Sequence, residues 1–155
     1  MDQRKHIRLT EYDYSQNGYY FVTICTKDRK NVLWESVGAT CGRPHLSTYG
    51  KVVEEEISKF DNVYTGVRID KYVVMPNHIH MIIAVEADDG RPQVAPTLSR
   101  MIQQFKGSVS KKAGVALWQK SFYDHIIRND ADYLAVWQYI ETNPVKWELD
   151  KYYTD

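Results

Sequence analysis

Apolar residues along this chain fall into two spacings, and the alternation between them predicts the elements. Tyr19 to Thr26 (YYFVTICT) is a run of aromatic and β-branched residues after an Asn17-Gly18 turn signal, which predicts a strand. Tyr49 to Phe60 places Val52, Val53, Ile57 and Phe60 at helical spacing. Val67 to Met75 reads as a second strand, Pro76-Asn77 as a tight turn, and His78 to Val85 as the returning strand. A helix starts near Thr97, a suitable N-cap, with Leu98, Met101, Ile102 and Phe105 on one face and Gly114 at its end. Ser121 to Ile127 (SFYDHII) is a fourth strand. The last helix, capped by Asp130 or Asp132, runs toward Asn143, where Pro144 disfavours a helical predecessor. Asn31 to Ser47, with Gly38, Cys41-Gly42 and Pro44, reads as a loop excursion.

The order β-α-β-β-α-β-α is that of an α+β, ferredoxin-like fold with one helix added. It predicts an antiparallel four-stranded sheet, two helices on one face, and an additional C-terminal helix that carries Tyr139.

Composition narrows the class. With 155 residues, the chain is expected to form a single domain spanning 1–155. Hydrophobic residues make up 43% and charged residues 26%, an ordinary globular balance. No apolar run is long enough to span a bilayer, and MDQRKHIRLT lacks the apolar core of a signal peptide. Cys25 and Cys41 form no CxxC pair, which favours a reducing cytoplasm.

Net charge is zero, which argues against bulk electrostatic binding of nucleic acid, but the charges are unevenly spread. Arg91, Arg100, Lys106, Lys111, Lys112, Lys120 and Arg128 face one acid, Asp124, across residues 91–128. Arg4, Lys5 and Arg8 add to this near the N-terminus. One basic face suits a polyanionic partner; the alternative is a solvated helix face.

His78 and His80 lie two residues apart in an apolar strand (VVMPNHIHMIIAV), so their imidazoles share a face. An isolated His-x-His is more often a hydrogen-bonded pair than a metal site. The apolar flanks and the last helix favour the metal site here. On that helix Tyr133, Trp137 and Ile140 form an i, i+4, i+7 stripe expected to face the core. Tyr139 is about 200° around from Trp137, and Asn143 shares its side. A phenol is a weak nucleophile, and a divalent metal polarising a phosphodiester offsets that weakness. His78, His80 and Asn143 would be the ligands. With 12 tyrosines present, an ordinary surface role for Tyr139 is the competing reading. His125 is expected to be structural in the fourth strand, with acid–base chemistry or DNA contact as alternatives.

The segments MPNHIHMII, SFYDHIIRN and YIETNPVKW, in that order, resemble the single-tyrosine transposases of the His-hydrophobic-His superfamily, and most closely the REP-associated tyrosine transposases. The resemblance spans about Tyr19 to Trp147. It implies a metal pair at His78 and His80, a nucleophile at Tyr139 and a third ligand at Asn143. Insertion-sequence members usually carry Gln at that last position, so Asn143 suits the REP-associated branch. The resemblance further implies a 5′-phosphotyrosine intermediate, Mg²⁺ or Mn²⁺ as cofactor, single-stranded or hairpin DNA as partner, and either a monomer or a homodimer. Two rivals stand beside this reading: a non-catalytic nucleic-acid-binding module of the same fold, and a hydrolase of small phosphoesters that uses activated water.

Overall fold

The computed structural model describes residues 18–35, 45–86 and 97–144. Four strands form one antiparallel sheet in the order β2-β3-β1-β4: β1 (Gly18–Cys25), β2 (Val67–Val74), β3 (His78–Val85) and β4 (Tyr123–Ile127). The helices are α1 (Thr48–Ser58), a short α2 (Phe60–Val63), α3 (Leu98–Ala113) and α4 (Asp130–Thr142). This is the ferredoxin-like arrangement with its added C-terminal helix.

β1 and β3 are central, and every residue of β3 is buried. Alternation divides that strand between two layers. Ile79, Met81, Ile83 and Val85 join Tyr20, Val22 and Ile24 of β1 in a large core under α1 and α3. Val53 and Ile57 of α1 and Leu98, Met101, Ile102 and Phe105 of α3 complete it. On the other face Ile82 meets Ile127 and Val136 and Ile140 of α4 in a much smaller cluster.

That second cluster is thin, and polar contacts at the β2 edge help to seat α4. The Tyr133 hydroxyl donates to Asp70, and Lys71 pairs with Glu141. The Lys71 ammonium also lies 4.0 Å from the centre of the Trp137 ring.

The local signals explain most element ends. Thr97 caps α3, its hydroxyl accepting from Arg100 N, and Gly114 ends the helix in the left-handed conformation at φ 79°. The N-cap of α4 is Asn129, not Asp130 or Asp132: its side chain accepts from Asp132 N at 2.8 Å. Asp130 and Asp132 fall in the first turn, where a carboxylate complements the helix dipole. The expected Tyr49–Phe60 helix breaks at Lys59 into α1 and α2.

The rim of the 31–47 excursion is anchored to the site. Leu33 N donates to Pro76 O and Ser47 N to Leu33 O, while Trp34 bridges to Leu46. Gly50 permits this, because a Cβ there would stand 2.2 Å from the Leu33 carbonyl oxygen. Cys41-Gly42-Arg43-Pro44 lies outside the described residues, as do Arg4, Lys5, Arg8 and Arg91.

Candidate active site

His78 and His80 point into the α4 side of the sheet, at 0% and 1% exposure. Their Nε2 atoms are 3.1 Å apart. Each Nδ1 is held from behind by an oxygen 2.8 Å away, Asn77 Oδ1 for His78 and Thr23 Oγ1 for His80. Thr23 can do this because the β1–β3 register puts it directly opposite His80. Asn77 is itself fixed: its Nδ2 donates to Arg29 O, and its carbonyl accepts from Thr26 N and the Thr26 hydroxyl. The two imidazoles are therefore aimed at one point and cannot easily turn away from it. Thr23 carries no motif in the sequence, and only the strand pairing identifies it, whereas Asn77 stands beside His78 in the chain.

Two nitrogens each about 2.1 Å from one ion, with about 90° between them, stand about 3 Å apart. The observed pair fits a single divalent ion, and the oxygen behind each Nδ1 is the usual outer support of a metal-bound imidazole. Asn143 is 3% exposed, and its Nδ2 has no hydrogen-bond partner among the described residues. A buried N–H donor left unsatisfied is costly, and it invites an acceptor into the site; a metal-ligand role would fall to the other amide atom, Oδ1. No group of three or more His, Cys, Asp or Glu capable of holding a metal occurs among the described residues. Any ion here depends on neutral donors, and on anionic oxygens brought by a substrate.

Tyr139 lies over His80. Its ring centre is 5.2 Å from that of His80 and 6.1 Å from that of Phe21, which it meets edge-on. The expected stripe of α4 packs on the sheet, but it is wider than the spacing predicts. The buried positions are Val136, Ile140 and Asn143, with Tyr133 and Trp137 half-buried on one flank and Tyr139 half-buried on the other. Tyr139 therefore faces the sheet obliquely instead of pointing away from it. A cleft of about 400 Å³ opens between sheet and helix, lined by Phe21, Thr23, His80, His125, Val136 and Tyr139.

The cations are arranged differently from the expected single basic face. Lys106 is 7% exposed, and its ammonium donates to Gln119 O at 2.7 Å and Ser121 O at 3.2 Å. Its charge holds the approach to β4 in place and does not face solvent. Arg100, Lys111 and Lys112 are exposed, but they ride on α3, across the sheet from the histidines, and Lys112 pairs with Glu56 at 2.6 Å. Lys120 and Arg128 are exposed at the two ends of β4.

A second cationic group emerges at the His78 end of the sheet. Lys27, Arg29 and Lys30 sit on the exposed turn that follows β1, whose last residue, Cys25, pairs with His78. The segment before Lys120 runs beside it, with Gln119 N donating to Cys25 O. Asp28 and Arg29 both adopt left-handed backbone, at φ 56° and 53°, a strained choice for non-glycine residues. The sequence signal was Lys27-Asp28-Arg29-Lys30 directly after a strand, but it stood outside the long basic stretch.

Among the described residues no helix is long and apolar enough to cross a membrane. Residues 14–143 match the family described as IS200-like transposases. An uncharacterised Haemophilus influenzae protein is 34% identical over 98% of this chain and 94% of its own. The REP-associated tyrosine transposase of Escherichia coli K12 is 28% identical over 89% of this chain and 74% of its own. Among solved structures, a REP-associated tyrosine transposase bound to a REP hairpin superposes with a TM-score of 0.65 at 26% identity, covering 92% of this chain and 77% of that one.

Proposed function

The chain belongs to the IS200-like transposase family, whose activity is DNA transposition, and on that premise we propose that it is a metal-dependent endonuclease and strand transferase for single-stranded DNA. The proposal treats 1–155 as one catalytic domain with Tyr139 as nucleophile and His78, His80 and Asn143 as metal ligands. The observation that carries it is the Tyr139 ring lying over His80, whose Nε2 converges with that of His78.

In this reading the Tyr139 Oη attacks a backbone phosphorus, the P–O3′ bond breaks, and the 5′ side stays joined to the tyrosine. A free 3′-hydroxyl reverses the step and joins strands, so bond energy is conserved without a nucleotide cofactor. A bound Mg²⁺ or Mn²⁺ supplies charge stabilisation at the phosphate oxygens. The rest falls to the chain. Thr23 and Asn77 fix the imidazoles, Phe21 supports the phenol ring from below, and Val136 with Ile140 holds the helix on the sheet. Lys27, Arg29, Lys30, Lys120 and Arg128 are placed to hold phosphates near the site, and Arg4, Lys5 and Arg8 are candidates for the same role. Hairpin DNA is the substrate class favoured by the relative solved with a REP hairpin.

The test is covalent capture. The protein is incubated with Mn²⁺ and a library of labelled, hairpin-bearing single strands, then run on a denaturing gel. A labelled protein band for the wild type and none for Tyr139→Phe supports the reading. Cleavage by Tyr139→Phe at the wild-type rate overturns it in favour of water-mediated hydrolysis.

A further inference from the structure

One more proton-bearing side chain lines the cleft. His125 pairs in register with Phe21, so it stands on the same face of the sheet as His80 and opens onto the same space as Tyr139. It is held by Asp132, whose Oδ2 lies 2.7 Å from its Nε2. Asp132 is fixed in turn. Its backbone amide donates to Asn129 Oδ1 in the cap of α4, and the same Oδ2 accepts from Arg128 N. A carboxylate only accepts, so His125 Nε2 carries a hydrogen and Nδ1 is left as the nitrogen that exchanges a proton. The titratable or charged groups around it are Asp132 and Tyr139 from α4, Tyr123 and Arg128 along β4 and its end, Tyr19 from β1 and His80 from β3.

We infer that His125, oriented by Asp132, is the acid that protonates the departing 3′ oxygen when Tyr139 cleaves a strand; the inference rests on Tyr139 being the nucleophile. In-line attack puts the leaving oxygen across the phosphorus from the phenol. Tyr139 lies on the helix side over His80 and Phe21, while His125 rises from the edge strand. In the step the Tyr139 Oη–P bond forms, the P–O3′ bond breaks, and the Nδ1 proton of the His125 imidazolium passes to O3′. The phenol proton leaves to water in the open cleft. The His125 side chain is 53% exposed and regains its proton from solvent. In strand joining the same nitrogen accepts the proton of the attacking 3′-hydroxyl. Asp132 is a positioning residue.

The experiment uses a hairpin-bearing strand selected for adduct formation by the wild type, made with oxygen or sulfur at the bridging 3′ position of the scissile phosphate. A thiol is far more acidic than an alcohol, so a thiolate leaves without an acid. With oxygen, single-turnover cleavage by His125→Gln should fall about 100-fold, while with sulfur it should stay within about threefold of wild type. Asp132→Asn should show the same selectivity with a smaller loss. Thermal melting and DNA anisotropy check that each variant folds and binds. Equal losses on both substrates, or no loss on oxygen, overturn the inference. Absence of a wild-type adduct on every strand, or cleavage by Tyr139→Phe, overturns the underlying reading instead.

Discussion

Replacing Thr23 by Val removes one hydroxyl and keeps the side-chain shape. In the protein without metal, the two Nε2 atoms 3.1 Å apart share one proton. His78 Nδ1 directs its hydrogen to Asn77 Oδ1, so the proton between the rings belongs to His80. His80 Nδ1 then accepts from the Thr23 hydroxyl. When an ion occupies both Nε2 atoms, His80 must carry its proton on Nδ1, and Thr23 becomes the acceptor. A hydroxyl serves both tautomers and a methyl group neither. Because Thr23 and His80 are buried, the unpaired nitrogen is not rescued by bulk water. Its loss should cost about 1–3 kcal/mol of stability, which for a domain of this size lowers the melting temperature by roughly 3–10 °C. Metal affinity should fall about 10–100-fold, the usual effect of losing an outer-shell partner. Thermal melts with and without Mn²⁺, and calorimetric titration of Mn²⁺ in the presence of single-stranded DNA, measure both quantities. Thr23→Ser should restore most of each. A Val variant that melts with the wild type and binds Mn²⁺ equally well would refute the orienting role of Thr23.

Other outcomes follow from the same geometry. Lys106→Met should destabilise the fold by about 1–3 kcal/mol in a denaturant titration, because two half-buried carbonyls lose their donor. DNA affinity measured below the unfolding range should be unchanged, and a drop there would return Lys106 to the binding surface. Alanine at Lys27, Lys30 and Lys120 should flatten the dependence of single-strand affinity on salt by roughly 0.7 for each phosphate no longer neutralised, whereas alanine at Lys111 and Lys112 should leave the slope alone. The reverse pattern in anisotropy titrations would place the nucleic acid on α3. The Asp70 hydrogen bond, with burial second, pushes the Tyr133 hydroxyl up to about 12. A group whose folded pKa is raised contributes stability that is complete below its unfolded value, near 10, and is lost as pH rises through about 12. Alkaline melts should therefore weaken over that window, and Tyr133→Phe should remove part of the dependence; identical curves would show that Asp70 does not hold α4.

Local patterning by itself determined the order of elements, because strand and helix periods are written in adjacent residues. It also put His78 and His80 on one face, since alternation along a strand needs no partner, and it put Asn143 on the Tyr139 side of α4. Docking of α4 was beyond its reach. The stripe Tyr133, Trp137 and Ile140 does pack on the sheet, held by Asp70 and Lys71, yet Val136 and Asn143 are buried more deeply than Tyr133 and Trp137, because Ile82 and Ile127 come from strands far away in sequence. The same holds for charge. Lys106 reads as an exposed cation until the carbonyls of Gln119 and Ser121 close over its ammonium, and the layer occupied by α3 decides that its other cations lie away from the histidines. Thr23 behind His80, and His125 with Asp132 in one cleft with Tyr139, arise from cross-strand register and from the angle of one helix on the sheet. Those are meetings of distant segments, and no spacing within a segment encodes them.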